Sequence, residues 1–301
     1  MGGICSGRVV VITGAGRGLG LEYALAFAAE GAKVIVNDIG ASLSGEGLDG
    51  SPAQDVVDEI VAAGGQAVAN RDDIAEWDGA GRLIATAIDS FGQVDVVVNN
   101  AGIVRDRMFV SATLDEWDAT MRVHLRGHFC VARHAVDHWR ARTKAGERVD
   151  ARIINTTSGA GLQGSIAQSA YSTAKAGIAA LTLVQAAELG RYGITANALA
   201  PSARTRMTEQ AFADKMAKID GAFDVQDPAN IAPVVVWLGS TESADVTGRV
   251  FELEGGRITI EDGWHLGPTV DQGARWSPGE VGPAVRALLS EQKPPRAVWG
   301  S

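Results

Sequence analysis

Cysteine is rare in this chain, and its rarity excludes two kinds of architecture. Only Cys5 and Cys130 occur among the 301 residues, and no CxxC pair is present. Small disulfide-stapled domains and cysteine-based zinc sites both need several cysteines at short spacings. The sequence therefore predicts neither a disulfide framework nor a metal site, and it favours a reducing, cytoplasmic setting.

Long apolar runs and an excess of positive charge are also lacking. No apolar stretch approaches the roughly 20 residues of a membrane-spanning helix, and the first residues lack the charged-then-apolar order of a signal peptide. Lysine and arginine number 27 against 36 aspartates and glutamates, a net charge of −9. Because general nucleic-acid binders are normally basic, we expect a small-molecule partner and no nucleic acid or membrane.

The hydrophobic residues that are present alternate between strand-like and helix-like segments. The strands are continuous apolar runs, the pattern of strands buried on both faces of a parallel sheet. The sequence therefore predicts an α/β fold: a Rossmann-type doubly wound parallel sheet in a single domain, with helices on both faces. Strands are predicted at Val9–Thr13, Lys33–Asp38, Gln66–Asn70, Val94–Val98, Arg152–Thr157, Ile194–Leu199 and, last, Val250–Leu253. Helices are predicted at Gly18–Glu30, Asp55–Ala63, Trp77–Phe91, within Leu114–Ala141, Tyr171–Leu189 and Asn230–Leu238.

Three segments interrupt this alternation. The Gly/Ser-rich stretch 40–52 and the segment 202–225 each follow a strand, where the loops of such sheets build the binding site. We expect a dinucleotide-binding domain over residues 1–262, including a substrate loop at 202–225. Residues 263–301 carry Trp264, Trp276 and Trp299. They are expected to form a C-terminal extension that packs on the same domain or on a neighbouring subunit.

A glycine-rich turn joins the first strand to the first helix. Residues 13–20 read TGAGRGLG. A backbone that turns tightly and approaches a pyrophosphate closely has no room for side chains, and the helix N-terminus offers free N–H groups and a partial positive charge. A plain tight turn is the alternative. The strand–turn–helix context and the acidic Asp38 after the second strand favour dinucleotide binding.

Asp38 and Arg17 point to different dinucleotides. A carboxylate at the end of the second strand accepts the ribose hydroxyls of NAD and repels the 2′-phosphate of NADP. Arg17, inside the glycine turn, would attract that phosphate. We favour NAD, because repulsion at short range outweighs one exposed cation.

The motifs resemble the short-chain dehydrogenase/reductase family over residues 8 to about 254. The glycines follow that family's TGxxxGxG spacing, residues 99–102 read NNAG, and residues 171–175 form its YxxxK with Ser158 upstream at the expected separation. The resemblance implies an NAD(P)-dependent oxidoreductase that interconverts a secondary alcohol and a ketone. It implies cofactor contacts at Gly14, Arg17, Gly18, Leu19, Gly20, Asp38, Asp73, Ile74, Asn100, Ala101, Gly102, Tyr171, Lys175, Pro201 and Thr205.

Ser158, Tyr171 and Lys175 form the expected catalytic set. Tyr171 and Lys175 share one face of a helix. A free phenol titrates near pH ~10, and a nearby ammonium favours its ionised form, so Lys175 is expected to lower the pKa of Tyr171. Tyr171 then takes the proton of the alcohol or returns it, while Ser158 donates a hydrogen bond to the substrate oxygen.

Two positions depart from the family pattern. His124 stands where the family has asparagine, and Pro201-Ser202 replaces Pro-Gly. His124 is either a packed helix residue or a fourth catalytic residue that replaces asparagine in a proton relay and titrates near neutrality. Thr205 remains the implied contact of the nicotinamide carboxamide.

A narrower resemblance concerns the substrate. Residues 37–40 with their Gly-rich insert, 99–107 and 123–127 are similar to the dehydrogenase domain of peroxisomal multifunctional β-oxidation enzymes. This resemblance implies a (3R)-hydroxyacyl-CoA or a hydroxysteroid as substrate. Arg204, Arg206, Lys215 and Lys218 then either meet the phosphates of the CoA or form a solvated basic face.

Four histidines, at 124, 128, 134 and 138, fall on one stripe of an ideal helix. Their spread along the helix is too long for one metal ion, so a packing face between helices or subunits is the better interpretation. The family resemblance implies a homodimer or homotetramer. A non-catalytic NAD-binding redox sensor, a methyltransferase and a serine hydrolase are the competing functions. The Ser158–Tyr171–Lys175 set argues against the first, and the YxxxK motif has no use in the second. Ser158 stands in Thr-Ser-Gly and not in GxSxG, which argues against the third.

Overall fold

One eight-stranded sheet runs through the computed structural model, which describes residues 2–42, 51–211, 216–218, 222–294 and 296–300. The strands lie in the order β3-β2-β1-β4-β5-β6-β7-β8. They are β1 Val9–Thr13, β2 Lys33–Asn37, β3 Gln66–Asn70, β4 Val96–Asn99, β5 Ala151–Thr156, β6 Ile194–Ser202, β7 Val250–Glu254 and β8 Arg257–Glu261. The helices are α1 Gly18–Ala29, α2 Ser51–Ala62, α3 Trp77–Phe91, α4 Leu114–Met121, α5 Gly127–Lys144, α6 Gly159–Gln163, α7 Ser169–Leu189, α8 Arg206–Ala211, α9 Ala232–Gly239 and α10 Pro278–Glu291.

The first strand shows why the apolar runs form a sheet covered on both faces. Alternate residues of a strand point to opposite faces. Val10 and Ile12 belong to the core beneath α1, α2 and α9, whereas Val9 and Val11 belong to the core beneath α3 and α5. All of β1 is buried. The predicted doubly wound α/β fold is confirmed.

The sheet ends differently from the prediction, which made Val250–Leu253 the last strand. A further strand, β8, turns back and pairs with β7 in the antiparallel direction. Ile258 and Ile260 of β8 are exposed, so this edge strand is not buried on both faces. The continuous apolar pattern that identified the other strands is therefore missing from it.

The long helix predicted within Leu114–Ala141 is interrupted by a π-helical turn over Arg122–Arg126. A π-turn contains an extra residue, so the positions after it rotate away from an ideal helical stripe. His124 and His128 are fully buried, while His134 stacks against Trp77 on α3, with ring centroids 4.2 Å apart. The four histidines therefore do not form the single packing face expected from the sequence.

The described helices include none that is both long enough and apolar enough to cross a membrane. The parallel strands instead bring their carboxyl ends to one edge of the sheet, where β1, β4, β5 and β6 are neighbours. Loops that leave this edge are the expected walls of a ligand site in an open α/β sheet.

Candidate active site

A cavity of about 550 Å³ opens at the carboxyl edge of the sheet. It brings together all but one of the site residues predicted from the sequence. Its walls include Gly14, Arg17, Gly18, Leu19, Asp38, Asp73, Ile74, Asn100, Ala101, Gly102, His124, Ser158, Tyr171, Lys175, Pro201 and Thr205. Gly20, predicted to contact the cofactor, is buried and does not line the cavity.

The glycine turn has the shape that a dinucleotide needs. Gly14 and Gly18 adopt φ angles of 63° and 56°, a region that side chains disfavour. A Cβ at Gly14 would lie 2.7 Å from Ala101 Cα, and a Cβ at Gly20 would lie 2.2 Å from the carbonyl oxygen of Gly14. Gly20 thus allows α1 to pack closely against the turn. A phosphate can approach the open N-terminus of α1.

Thr13 and Asn100 hold this turn against the end of β4. The Thr13 hydroxyl accepts hydrogen bonds from the backbone of Asn100 at 3.0 Å and of Ala101 at 3.1 Å. The Asn100 amide donates to the carbonyls of Thr13 and Gly14, both at 3.1 Å. Thr13 was not among the predicted site residues, although its place before the first glycine could have suggested this role.

Asp38 is fixed by backbone donors just beyond β2. Its Oδ2 accepts from Gly16 N at 2.9 Å, and its Oδ1 accepts from Gly40 N at 2.7 Å. The carboxylate therefore has a set orientation beside the glycine turn and lines the cavity. Such a group suits two ribose hydroxyls and disfavours an added phosphate.

Arg122 is a cavity residue that the sequence did not reveal. It comes from the π-turn and donates to Asp73 at 2.7 Å and to Glu76 at 2.6 Å. Asp73 also accepts from Ala75 N at 2.9 Å, so its carboxylate is held in place beside Ile74. No local motif marks Arg122, because the pairing joins positions far apart in the chain.

Ser158 and Tyr171 meet across the cavity. Ser158 follows β5 and caps α6, where its hydroxyl accepts from Ala160 N at 3.2 Å. Tyr171 lines the same cavity, and the Ser158 hydroxyl is close enough to influence the pKa of its phenol. Loss of solvent raises the pKa of Tyr171, the Ser158 hydroxyl lowers it, and the Asp106 carboxylate raises it, with a net increase. In this structure the phenol is therefore protonated at neutral pH, ready to donate.

Lys175 does not play the electrostatic role expected from the sequence. Its side chain is buried, and Nζ donates to the carbonyl of Thr156 at 2.6 Å, 5.6 Å from the centre of the Tyr171 ring. Burial lowers the pKa of Lys175 to about 7. The pKa of Tyr171 is raised and not lowered chiefly because its phenol has lost solvent.

His124 lies behind Tyr171. Its Nε2 is 3.1 Å from Ile103 N and 2.8 Å from Ile103 O, and its ring meets the Tyr171 ring edge-on with centroids 5.2 Å apart. Burial and the nearby Lys175 charge lower the pKa of His124 to about 3. The expected titration near neutrality is therefore corrected, because the imidazole is neutral throughout that range.

The basic residues after β6 do not act as one group. Arg204 forms an ion pair with Asp224, so its charge is already balanced. Arg206 is exposed and lines the cavity, Lys218 is exposed, and Lys215 lies outside the described residues. Thr205 lies beside the glycine turn, since a Cβ built on Gly18 would be 3.7 Å from Thr205 Cγ2.

Within the described parts of the chain, no three histidine, cysteine or acidic side chains converge as a metal site would require. The cavity walls supply the hydroxyls of Ser158 and Tyr171 and the amine of Lys175.

Comparison with known proteins agrees with this geometry. A family model described as short chain dehydrogenase matches residues 8–216. Hydroxyacyl-CoA dehydrogenase ChsB1 of Mycobacterium tuberculosis is 42% identical over 296 residues, which cover 96% of this chain and 90% of that protein. Peroxisomal multifunctional enzyme type 2 of mouse is 44% identical over 84% of this chain and 32% of its own length. A crystal structure of a short chain dehydrogenase from Mycobacterium avium is 57% identical, with a TM-score of 0.90 over 99% of this chain and 100% of that one.

The buried Lys175 makes stability depend on pH. Its pKa is about 7 in the folded protein against an ordinary 10.5, so between these values the unfolded chain binds more protons and the wild type gains stability as pH rises. Lys175→Met removes this contribution. We expect the free energy of unfolding of the wild type, relative to the variant, to rise by up to about 1.4 kcal/mol per pH unit in that window. Urea unfolding at several pH values measures this, and a constant difference would contradict a buried, depressed lysine.

His124→Asn tests the corrected role of His124. Because the pKa of the imidazole is about 3, its replacement should remove no ionisation from the pH profile of kcat between about pH 5 and 8. The same assay gives the magnitude of kcat. A lower kcat with an unchanged pH profile is the result expected of a residue that positions Tyr171. The disappearance of a neutral-pH ionisation in the variant would show instead that His124 titrates during turnover.

Proposed function

The chain belongs to the short-chain dehydrogenase family and is an oxidoreductase that uses a nicotinamide cofactor, and from this premise we propose how its residues act and on what. The family resemblance drawn from the sequence motifs is confirmed. The observation that carries the proposal is that Ser158, Tyr171 and Lys175 line one cavity together with the glycine turn. The reaction interconverts a secondary alcohol and a ketone.

Each residue of the set has a distinct task. The Ser158 and Tyr171 hydroxyls hold the substrate oxygen, where charge develops in the transition state. Tyr171, whose pKa is raised, donates its proton to a carbonyl oxygen during reduction. During oxidation its phenolate accepts the alcohol proton, so the phenol must first release its own proton. Lys175, with a pKa of about 7, is placed one helical turn away to exchange a proton near neutrality. A bound nicotinamide supplies the hydride donor or acceptor.

The His124 ring contacts the Tyr171 ring on one side and Gly102 on the other. The His124 ring packs onto Gly102, where a Cβ would come within 2.4 Å of its Cε1. With Nε2 held at the Ile103 peptide, the imidazole fixes the edge of the Tyr171 ring. We therefore assign His124 to the positioning of Tyr171.

NAD is the proposed dinucleotide. Asp38 is held in a single orientation by Gly16 N and Gly40 N, at the place where the second strand ends. A fixed carboxylate there accepts ribose hydroxyls and repels a 2′-phosphate. Arg17 also lines the cavity, but one flexible cation balances only part of that repulsion.

The proposed substrate is a 3-hydroxyacyl or 3-oxoacyl thioester of CoA, with a hydroxysteroid as the second candidate. The support is similarity to proteins named hydroxyacyl-CoA dehydrogenase and peroxisomal multifunctional enzyme. Arg206, exposed on the cavity wall after β6, is the cation best placed to meet a phosphate of the CoA. Arg204 is not proposed for that role, because Asp224 already neutralises it.

We also propose that the protein assembles as a dimer or tetramer through α5 and α7. Phe129 on α5 and Leu183 and Val184 on α7 are exposed. Phe129 and Val184 border one shallow cavity with Arg140 and Tyr192. Apolar side chains grouped on two neighbouring helices are typical of a surface that another subunit covers. The cytoplasm is the proposed location, supported by two buried cysteines that are both unpaired.

A non-catalytic redox sensor is not favoured by any observation. A sensor needs the dinucleotide cavity alone, whereas here Ser158, Tyr171 and Lys175 all face the same space. The similar proteins named above carry names of dehydrogenases and enzymes.

An NADH-absorbance assay tests the proposed reaction. With NAD, kcat/KM for a (3R)-3-hydroxyacyl-CoA should exceed that for a simple secondary alcohol by at least about 100-fold, since remote contacts stabilise the transition state. A hydroxysteroid provides the comparison for the second candidate. Tyr171→Phe should lower kcat by about 10²- to 10⁴-fold without loss of NAD binding.

The matched control for that variant is Tyr23→Phe. Tyr23 is buried on α1, lines neither the active-site cavity nor the proposed subunit surface, and its replacement should leave kcat unchanged. An unimpaired Tyr171→Phe enzyme, or no turnover of any of the three substrate classes, would refute the proposed function.

Asp38→Asn tests the choice of dinucleotide. Loss of the negative charge should decrease the ratio of kcat/KM for NAD over NADP by at least about tenfold, chiefly through a lower KM for NADP. Asp89→Asn, an exposed carboxylate on α3 outside the cavity, is the charge-matched control. An unchanged ratio would mean that Asp38 does not discriminate between the two dinucleotides.

A further inference from the structure

The end of the chain binds to the loop that links the two catalytic hydroxyls. We name residues 296–300 the C-terminal strap. Ile166 N donates to the carbonyl of Trp299 at 2.9 Å, and Trp299 N donates to the carbonyl of Gly164 at 3.2 Å. These bonds form a parallel bridge between Ser165 and Trp299. The linking loop runs between Ser158, at the start of α6, and Tyr171, in the first turn of α7.

Trp299 also contacts the residue next to Ser158. Its indole packs directly on Gly159, where a Cβ would lie 2.6 Å from Cζ2 and 2.8 Å from Cη2. Gly159 has a backbone conformation that other residues adopt freely, so glycine there is explained by the contact and not by φ. The ring of Trp299 therefore packs against the backbone of the residue that follows Ser158.

The strap is anchored at its other end to the edge of the sheet. Arg296 donates to Glu261 of β8 at 2.8 Å and to Glu252 of β7 at 3.3 Å. Only a short stretch separates this double ion pair from Trp299. The strap therefore joins a fixed part of the sheet to the linking loop.

The linking loop itself is under backbone strain. Ala167 has a φ of 63°, the single positive value among the described residues other than glycine. On the side away from the strap, its carbonyl accepts from Arg107 N at 2.7 Å, and Gln168 donates to Asp106 at 2.9 Å. A non-glycine residue in this region persists where its surroundings hold it. Gln168 leads directly into α7, which carries Tyr171.

We propose that Trp299 is a positioning residue, which fixes the separation of the Ser158 and Tyr171 hydroxyls by clamping the loop between them. The loop is held by Asp106 and Arg107 on one side and by the strap on the other. This inference rests on the proposed oxidoreductase function of the same site. It extends the active site to the far end of the chain, beyond the residues matched by the family model.

Trp299→Ala removes the clamp and tests this inference. Misplaced hydroxyls stabilise the transition state less, so kcat with the best substrate should decrease by at least about tenfold. The Kd for NAD, whose glycine turn lies elsewhere, should stay within about twofold. Trp299→Phe keeps an aromatic ring on Gly159 and should recover most of kcat.

Trp264→Ala is the matched control, because Trp264 belongs to the same extension and is fully exposed. Its kcat should equal that of the wild type. Gly159→Ala provides an independent route to the same defect, since the new methyl group displaces the indole. The double variant Gly159→Ala/Trp299→Ala should be no slower than either single variant, because one contact is lost in all three.

Hydrogen exchange supplies a readout that does not depend on turnover. The Ile166 amide, which donates to Trp299, should exchange at least about tenfold faster in Trp299→Ala and at the wild-type rate in Trp264→Ala. Unchanged exchange, an unchanged kcat, or a loss of NAD affinity in parallel with kcat would each overturn the inference. If the wild type turns over no substrate, the proposed function fails, and the exchange rates alone then support or refute the clamp.

Discussion

The side-chain amine of Lys175 is buried, and the protonation states of the site depend on that burial. It keeps one short hydrogen bond to the Thr156 carbonyl, and burial brings its pKa down to about 7. The same loss of solvent raises the pKa of the neighbouring Tyr171. Desolvation disfavours the charged forms of both groups, so the free site holds a protonated phenol beside an amine that titrates near neutrality. The proposed proton transfer at Tyr171 and the predicted pH dependence of stability both follow from this arrangement.

The fold makes this burial possible by bringing distant segments to one edge of the sheet. Ser158 follows β5, Lys175 lies on α7, and the glycine turn follows β1. Buried amides connect the strands beneath them: Asn99 donates to Asn155 at 3.0 Å, and Asn155 donates to Gln185 of α7 at 2.8 Å. These hydrogen bonds link β4 to β5 and β5 to α7, and so they fix the relative placement of the three elements.

Sequence patterns predicted most of the fold, and all but one of the predicted site residues line the cavity, because both depend on local signals. Continuous apolar runs revealed the parallel strands, and the glycine turn and YxxxK revealed the site. Three features could not be read in this way. The exposed strand β8 lacks a burial pattern, the π-turn shifts the helix that carries His124, and the Arg122–Asp73 pair joins residues from different elements. The pKa of Tyr171 is raised and not lowered as predicted, because the sequence gives the spacing of Tyr171 and Lys175 but not their loss of solvent.

The central claim is that the Tyr171 hydroxyl faces the reacting end of a bound dinucleotide, beside Ser158. A crystal structure of the complex with NAD measures this directly. The account predicts the pyrophosphate at the N-terminus of α1, the ribose near Asp38, and the nicotinamide within reach of the Tyr171 hydroxyl with space for a substrate oxygen between them. A dinucleotide bound outside this cavity, or a Tyr171 hydroxyl turned away from the nicotinamide, would contradict it.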